Sequence, residues 1–85
     1  MTATMTQSEI ETQVRNVIAQ VFKLSPAESA GELRMGNPPQ WDSMGHMQLV
    51  IELESAFGLI FPTYAMAELT DITAIARAIE QHGKA

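Results

Sequence analysis

Apolar residues recur at intervals of three and four in three stretches of the chain, and glycine and proline interrupt the pattern between them. In the first stretch Ile10, Val14, Val17, Ile18, Val21 and Phe22 share one face of a helix, which predicts an amphipathic helix over 8–23. Ser8 and Glu11 stand at capping-box spacing, where hydroxyl and carboxylate each satisfy a backbone N–H, and Lys23 marks the end. The following run, "LSPAESAGELRMGNPPQW", contains Gly31, Gly36 and Pro38-Pro39, so no continuous helix can pass through it. Ser25, Pro26 and Glu28 fit one short turn as N-cap, first-turn proline and N3 acid. Leu33, Met35 and Trp41 are expected to pin this long connection to the core, since they carry too much apolar surface for a free linker.

The second stretch is predicted to start at Asp42 as N-cap and to run to Phe57, where Gly58 can turn left-handed. It carries two apolar stripes. At about 100° per residue, Leu49, Val50, Leu53 and Phe57 gather on one side, and Met44, Met47 and Ile51 gather nearly opposite. A bundle this small can bury only one of them. Four contacts including a Phe outweigh three, which assigns 49/50/53/57 inward and leaves 44/47/51 exposed beside Ser43, with Gln48 on the same face and Glu52 and Glu54 on its flanks. An apolar strip edged by acids suits a partner with an apolar groove and a basic rim.

Pro62 prevents helix immediately before a short turn over 63–68. Asp71 then caps a last helix whose buried stripe is Ile72, Ile75, Ala76 and Ile79, with Gly83 as its stop. With no alternating segment of strand type, the chain reads as all-α: three main helices plus a short one, and a long first loop. At 85 residues it holds one domain, 1–85, with 1–7 expected as a flexible N-terminus.

Charge narrows the partners. Five Lys and Arg against ten Asp and Glu give a net charge of −5, which disfavours nucleic acid and anionic lipid and favours basic proteins. No cysteine is present, so the fold relies on packing and no thiolate metal site is available. No stretch approaches the ~20 apolar residues that span a bilayer, and the first ten residues lack a leader pattern. A monomeric, untargeted cytoplasmic protein without membrane insertion is the expectation.

Ser43 occupies the first helical position, where unpaired backbone N–H groups and the positive end of the helix dipole favour an attached or bound anion. Asp42-Ser43-Met44, "LVIELESAFG" after it, Phe61-Pro62, and Leu69 followed by Asp71-Ile72 together make the chain resemble the acyl carrier protein family. The resemblance covers almost the whole chain and implies a four-helix bundle. It implies a 4'-phosphopantetheine arm on Ser43, with Asp42 helping to position the modifying enzyme and its metal-bound CoA. It also implies that Met44, Met47 and Ile51 form the face gripped by partners, namely a phosphopantetheinyl transferase, an acyl- or aminoacyl-activating ligase, and a downstream acyltransferase or synthase. Such a protein is a carrier and not an enzyme.

Carriers of primary fatty acid synthesis follow the serine with acids, whereas this chain has Gly45, His46 and Gln48. "DSMG" is more similar to D-alanine and other aminoacyl carriers and to stand-alone carriers of specialised pathways, with an amino acid, polyketide or modified lipid as cargo. Asp42, Ser43 and His46 also contain the residue types of a hydrolase triad. However, His46 falls on the inward stripe and the chain has no G-x-S-x-G elbow. The alternatives are a helical protein-binding module that uses the same strip without modification, or a carrier of primary fatty acid synthesis. The two histidines, His46 and His82, lack ligand spacing for a metal, and His82 is expected in solvent.

Overall fold

The structure, a computed structural model, describes residues 6–82. Three long helices, α1 (Gln7–Phe22), α3 (Ser43–Phe57) and α5 (Ile72–His82), alternate with two single-turn helices, α2 (Pro26–Ser29) and α4 (Thr63–Met66). No strand occurs among the described residues; Arg34 makes isolated bridges to Asn37 and Asp71. α1 packs on both α5 and α3 and so occupies the middle of the fold. The radius of gyration, 12.1 Å, matches the roughly 12 Å expected of one compact domain of this length.

The first helix starts earlier than its pattern predicts. Thr6, not Ser8, is the N-cap, and its capping box closes with Glu9: Thr6 Oγ1 accepts from Glu9 N, and Glu9 Oε1 accepts from Thr6 N at 2.8 Å. "TQSE" and "SEIE" have the same spacing. The earlier box leaves Ser8 and Glu11 inside the helix, where the Ser8 carbonyl accepts from Thr12 Oγ1 and Glu11 accepts from Gln7 Nε2. Thr6 and Gln7 thus belong to the helix and its cap, while the rest of the expected flexible stretch, 1–5, lies outside the described residues. So does the Gly83 stop. Lys23 takes a left-handed conformation (φ 56°) and ends α1.

The core is the one drawn by the inward stripes. Ile10, Val14, Ile18 and Phe22 of α1 meet Leu49, Val50 and Leu53 of α3 and Ile72, Ile75, Ala76 and Ile79 of α5. Phe57 is only half-buried at the edge. Each single-turn helix has a local cause. Ser25 and Glu28 form a reciprocal box around α2 with Pro26 at its first position, and Pro62 precedes α4. Asp71 Oδ1 accepts from Ala74 N and caps α5.

The long connection is fixed at several points. Leu33 and Trp41 are buried and Met35 packs at the core margin. Arg15 of α1 donates to the carbonyls of Ser29 and Gly31, and Met35 N donates to the Thr70 carbonyl at 2.8 Å, which ties the loop to the segment before α5. The Asn37-Pro38 peptide is cis. None of the described helices is long and apolar enough to cross a membrane.

Candidate functional site

The first turn of α3 is held by its own carboxylate and by the loop before it. Asp42 Oδ1 accepts from Gly45 N at 2.8 Å and its carbonyl accepts from His46 N at 2.7 Å. The amides of Ser43 and Met44 precede the first intrahelical acceptor and point out of the helix end. Ser43, the first residue of this turn, is exposed.

Gly45 explains how closely this turn sits on the loop. A Cβ there would overlap the Gln40 carbonyl oxygen and come within 2.9 Å of the Phe22 ring. No other residue lets α3 approach the chain this closely. The glycine after Asp42-Ser43-Met44 is therefore accounted for by backbone packing.

His46 lies against the core, as its place on the inward stripe predicts. Trp41 Nε1–H donates to its Nδ1 at 3.0 Å, which leaves the proton on Nε2, 2.8 Å from the Met66 carbonyl. Both ring nitrogens are taken, and neither is free to accept a proton from Ser43. The ring also stacks on Trp41, which stacks in turn on Phe22. This chain of contacts joins α1, the loop, α3 and α4 at the base of the turn that carries the serine.

In front of the serine lies the second stripe of α3. Met44, Met47 and Ile51 are 84%, 56% and 55% exposed, while Leu49, Val50 and Leu53 on the other side are buried. Gln48 and Glu52 are exposed beside them. Glu54 departs from the free rim charge expected of it: it is half-buried, and its Oε2 accepts from Phe61 N at 2.9 Å. That bond brings the loop after α3 back against the helix, together with Ile60, which is 81% exposed. Tyr64 on α4 is also exposed, at 70%. Ile60 and Tyr64 carry no periodic signal of their own, because they sit in and beside a loop that the Glu54 bond holds.

His82 does not stand free in solvent. Its ring meets Phe61 and Tyr64 edge-on, with centroids 6.5 and 6.4 Å away. Among the described residues no group of three or more His, Cys, Asp or Glu is arranged to hold a metal ion.

Comparison with protein families, curated proteins and solved structures finds no match to this chain.

Proposed function

We propose that the chain is a carrier protein of the acyl carrier type, modified on Ser43 with 4'-phosphopantetheine. The observation that carries this reading is the pairing, on one helix, of an exposed serine at the first turn with an unburied apolar strip that starts at the next residue. A cap alone would explain Asp42-Ser43, but it would leave Met44, Met47 and Ile51 in water for no return. The order of three main helices with single-turn α2 and α4, and the long loop before α3, agrees with the four-helix bundle that the resemblance implies.

The residues fit the group chemically. The exposed Ser43 offers its hydroxyl as the point of attachment, and the outward amides of Ser43 and Met44 favour an anion there. Asp42 keeps one oxygen on Gly45 N and presents its charge at the same helix end to an incoming transferase. When attached, phosphopantetheine supplies a terminal thiol that holds an acyl group as a thioester. The chain's own work is physical: it presents Ser43 on a turn held by the Trp41–His46–Met66 contacts and docks partners on Met44, Met47 and Ile51. The partners are a phosphopantetheinyl transferase, a ligase that activates an acyl or aminoacyl group, and a downstream acyltransferase or synthase. Fast docking and release suits a small strip with an exposed acid, Glu52, at its rim. We place the cargo in a specialised pathway because no acid follows Ser43 in the first turn of α3. With Gly45 and His46 both accounted for by packing, Gln48 is the exposed position that carries this distinction.

Incubating the unmodified protein with CoA, Mg²⁺ and a broad-specificity phosphopantetheinyl transferase tests the reading by intact-protein mass spectrometry. Wild type should gain one phosphopantetheine and Ser43→Ala none, while Met47→Glu, folded by circular dichroism, should be modified more slowly. A wild type that stays unmodified would instead support the unmodified binding module.

A further inference from the structure

All the sulfur of this chain is in methionine, because it has no cysteine to compete for an oxidant. The fold divides the described methionines into two pairs. Met35, in the loop after α2, and Met66, the last residue of α4, are half-buried and pack against the core. Met44 and Met47 are exposed on the outer stripe of α3, at a spacing of three that makes them neighbours on one face. Together they supply two of the strip's three apolar side chains, with Ile51 as the third.

A methionine is an apolar side chain whose sulfur keeps a lone pair open to peroxides. That lone pair takes one oxygen of hydrogen peroxide: an S–O bond forms, the O–O bond breaks, and water leaves. The sulfur is oxidised to a sulfoxide and the peroxide is reduced. A peroxide must reach the sulfur to react, so exposure sets Met44 and Met47 ahead of Met35 and Met66. Leu49, Val50 and Leu53 carry the α3 side of the core, and oxidation of the outer stripe leaves that side unaltered. On the outer side the change is large, because a sulfoxide is polar and an apolar groove would strip its water without replacing it.

We propose that Met44 and Met47 form a reversible oxidation site, which hydrogen peroxide converts to a pair of sulfoxides ahead of Met35 and Met66, turning the α3 strip from apolar to polar. Methionine sulfoxide reductases restore it: each sulfur returns to the thioether while a dithiol becomes a disulfide and water leaves. The oxidation needs only exposure, whereas its consequence, slower docking of partners beside Ser43, rests on the carrier reading.

The test treats the unmodified full chain with dilute hydrogen peroxide, removes the oxidant, and follows each methionine by peptide mass spectrometry. Met44 and Met47 should be oxidised before Met35 and Met66, with helicity and melting temperature unchanged at that stage. The oxidised chain should elute earlier from a hydrophobic interaction column, and sulfoxide reductases for both epimers, with dithiothreitol, should return it to its first position. Comparison with Met44→Leu/Met47→Leu isolates the strip, since every other methionine is common to both proteins; the double variant should shift less. With CoA, Mg²⁺ and the transferase, oxidation should slow modification of wild-type Ser43 by about tenfold or more, the factor for a polar group desolvated without a partner. The double variant, whatever its starting rate, should keep that rate after peroxide. An unoxidised wild type that gains no phosphopantetheine would sink the carrier reading, and the peptide map and the column would still decide the oxidation site. Oxidation of Met35 or Met66 as early as Met44 and Met47, equal column shifts of wild type and double variant, failure of the reductases to reverse the shift, or equal modification rates of oxidised and unoxidised wild type would each overturn the proposal.

Discussion

Replacing Gly45 with alanine sets two physical effects against each other, and the structure decides the sign. Within a helix alanine is favoured over glycine by about 1 kcal/mol, so helix propensity alone predicts a more stable protein. The added methyl, however, would be built into the Gln40 carbonyl oxygen and against the Phe22 ring. Neither neighbour can step aside cheaply. Gln40 is held by its side-chain bond to the Phe22 carbonyl, and Trp41 next to it bonds Pro38 and Gly36 through its backbone. Phe22 is stacked on Trp41. Overpacking against such a wall costs about 1–3 kcal/mol. A backbone atom in the way argues for the upper end, and subtracting the propensity gain leaves a loss of ~2 kcal/mol. At ~4–8 °C per kcal/mol for a domain of this size, the melting temperature should fall by about 8–16 °C. Thermal and urea unfolding followed by circular dichroism measure this directly. The first turn of α3 must shift to relieve the overlap, so modification of Ser43 should slow as well. A Gly45→Ala protein that melts at or above the wild-type temperature would refute the close approach and return the glycine to a signal about cargo.

Leu53→Ala, which empties a fully buried position, should cost about 2–5 kcal/mol, whereas Met47→Ala on the exposed stripe should stay within ~1 kcal/mol; melts ranked the other way round would invert the two faces of α3. His46→Leu removes the acceptor of the buried Trp41 Nε1–H and should cost about 1–3 kcal/mol. The chain has a single Trp, so the loss should also show as a shift of one indole N–H resonance, and an unmoved resonance would contradict the bond. The Glu28 carboxyl is held below its usual value, first by the Ser25 backbone N–H and then by the Ser25 hydroxyl. A lowered folded-state value favours folding above the ordinary carboxylate range and loses that contribution as pH falls through it. The stability gap between wild type and Glu28→Gln should therefore be widest near neutral pH and close in acid, as melts across pH 2–7 would show.

Periodicity was enough to place the three long helices and, for α1 and α5, to choose the buried face, because each of these carries a single apolar stripe. Four apolar residues against three correctly predicted which side of α3 would be exposed. Local chemistry was equally direct at Asp42, Gly58, Asp71 and the Ser25–Glu28 turn, where cap and helix are neighbours in sequence. It was ambiguous where two boxes overlapped, and Thr6–Glu9 formed in place of Ser8–Glu11. The place of Ser43 as the first residue of α3 was legible as well, since the cap Asp42 stands directly before it.

Contacts made across the fold were not legible, since nothing in the spacing of residues specifies them. Arg15 reaches carbonyls 14 and 16 residues away, His46 reaches Met66 across 20, and Glu54 turns from a rim charge into the anchor of Phe61. The same is true of Gly45, which reads as an anomaly in a helix until the Gln40 backbone is found beneath it. The groove between α4 and α5, lined from both elements by residues such as Tyr64 and Ala78, is a further case, because its walls meet only when the two elements pack together. A sequence encodes faces and caps through neighbours one turn apart, and only the packed chain decides which distant groups those faces bring together.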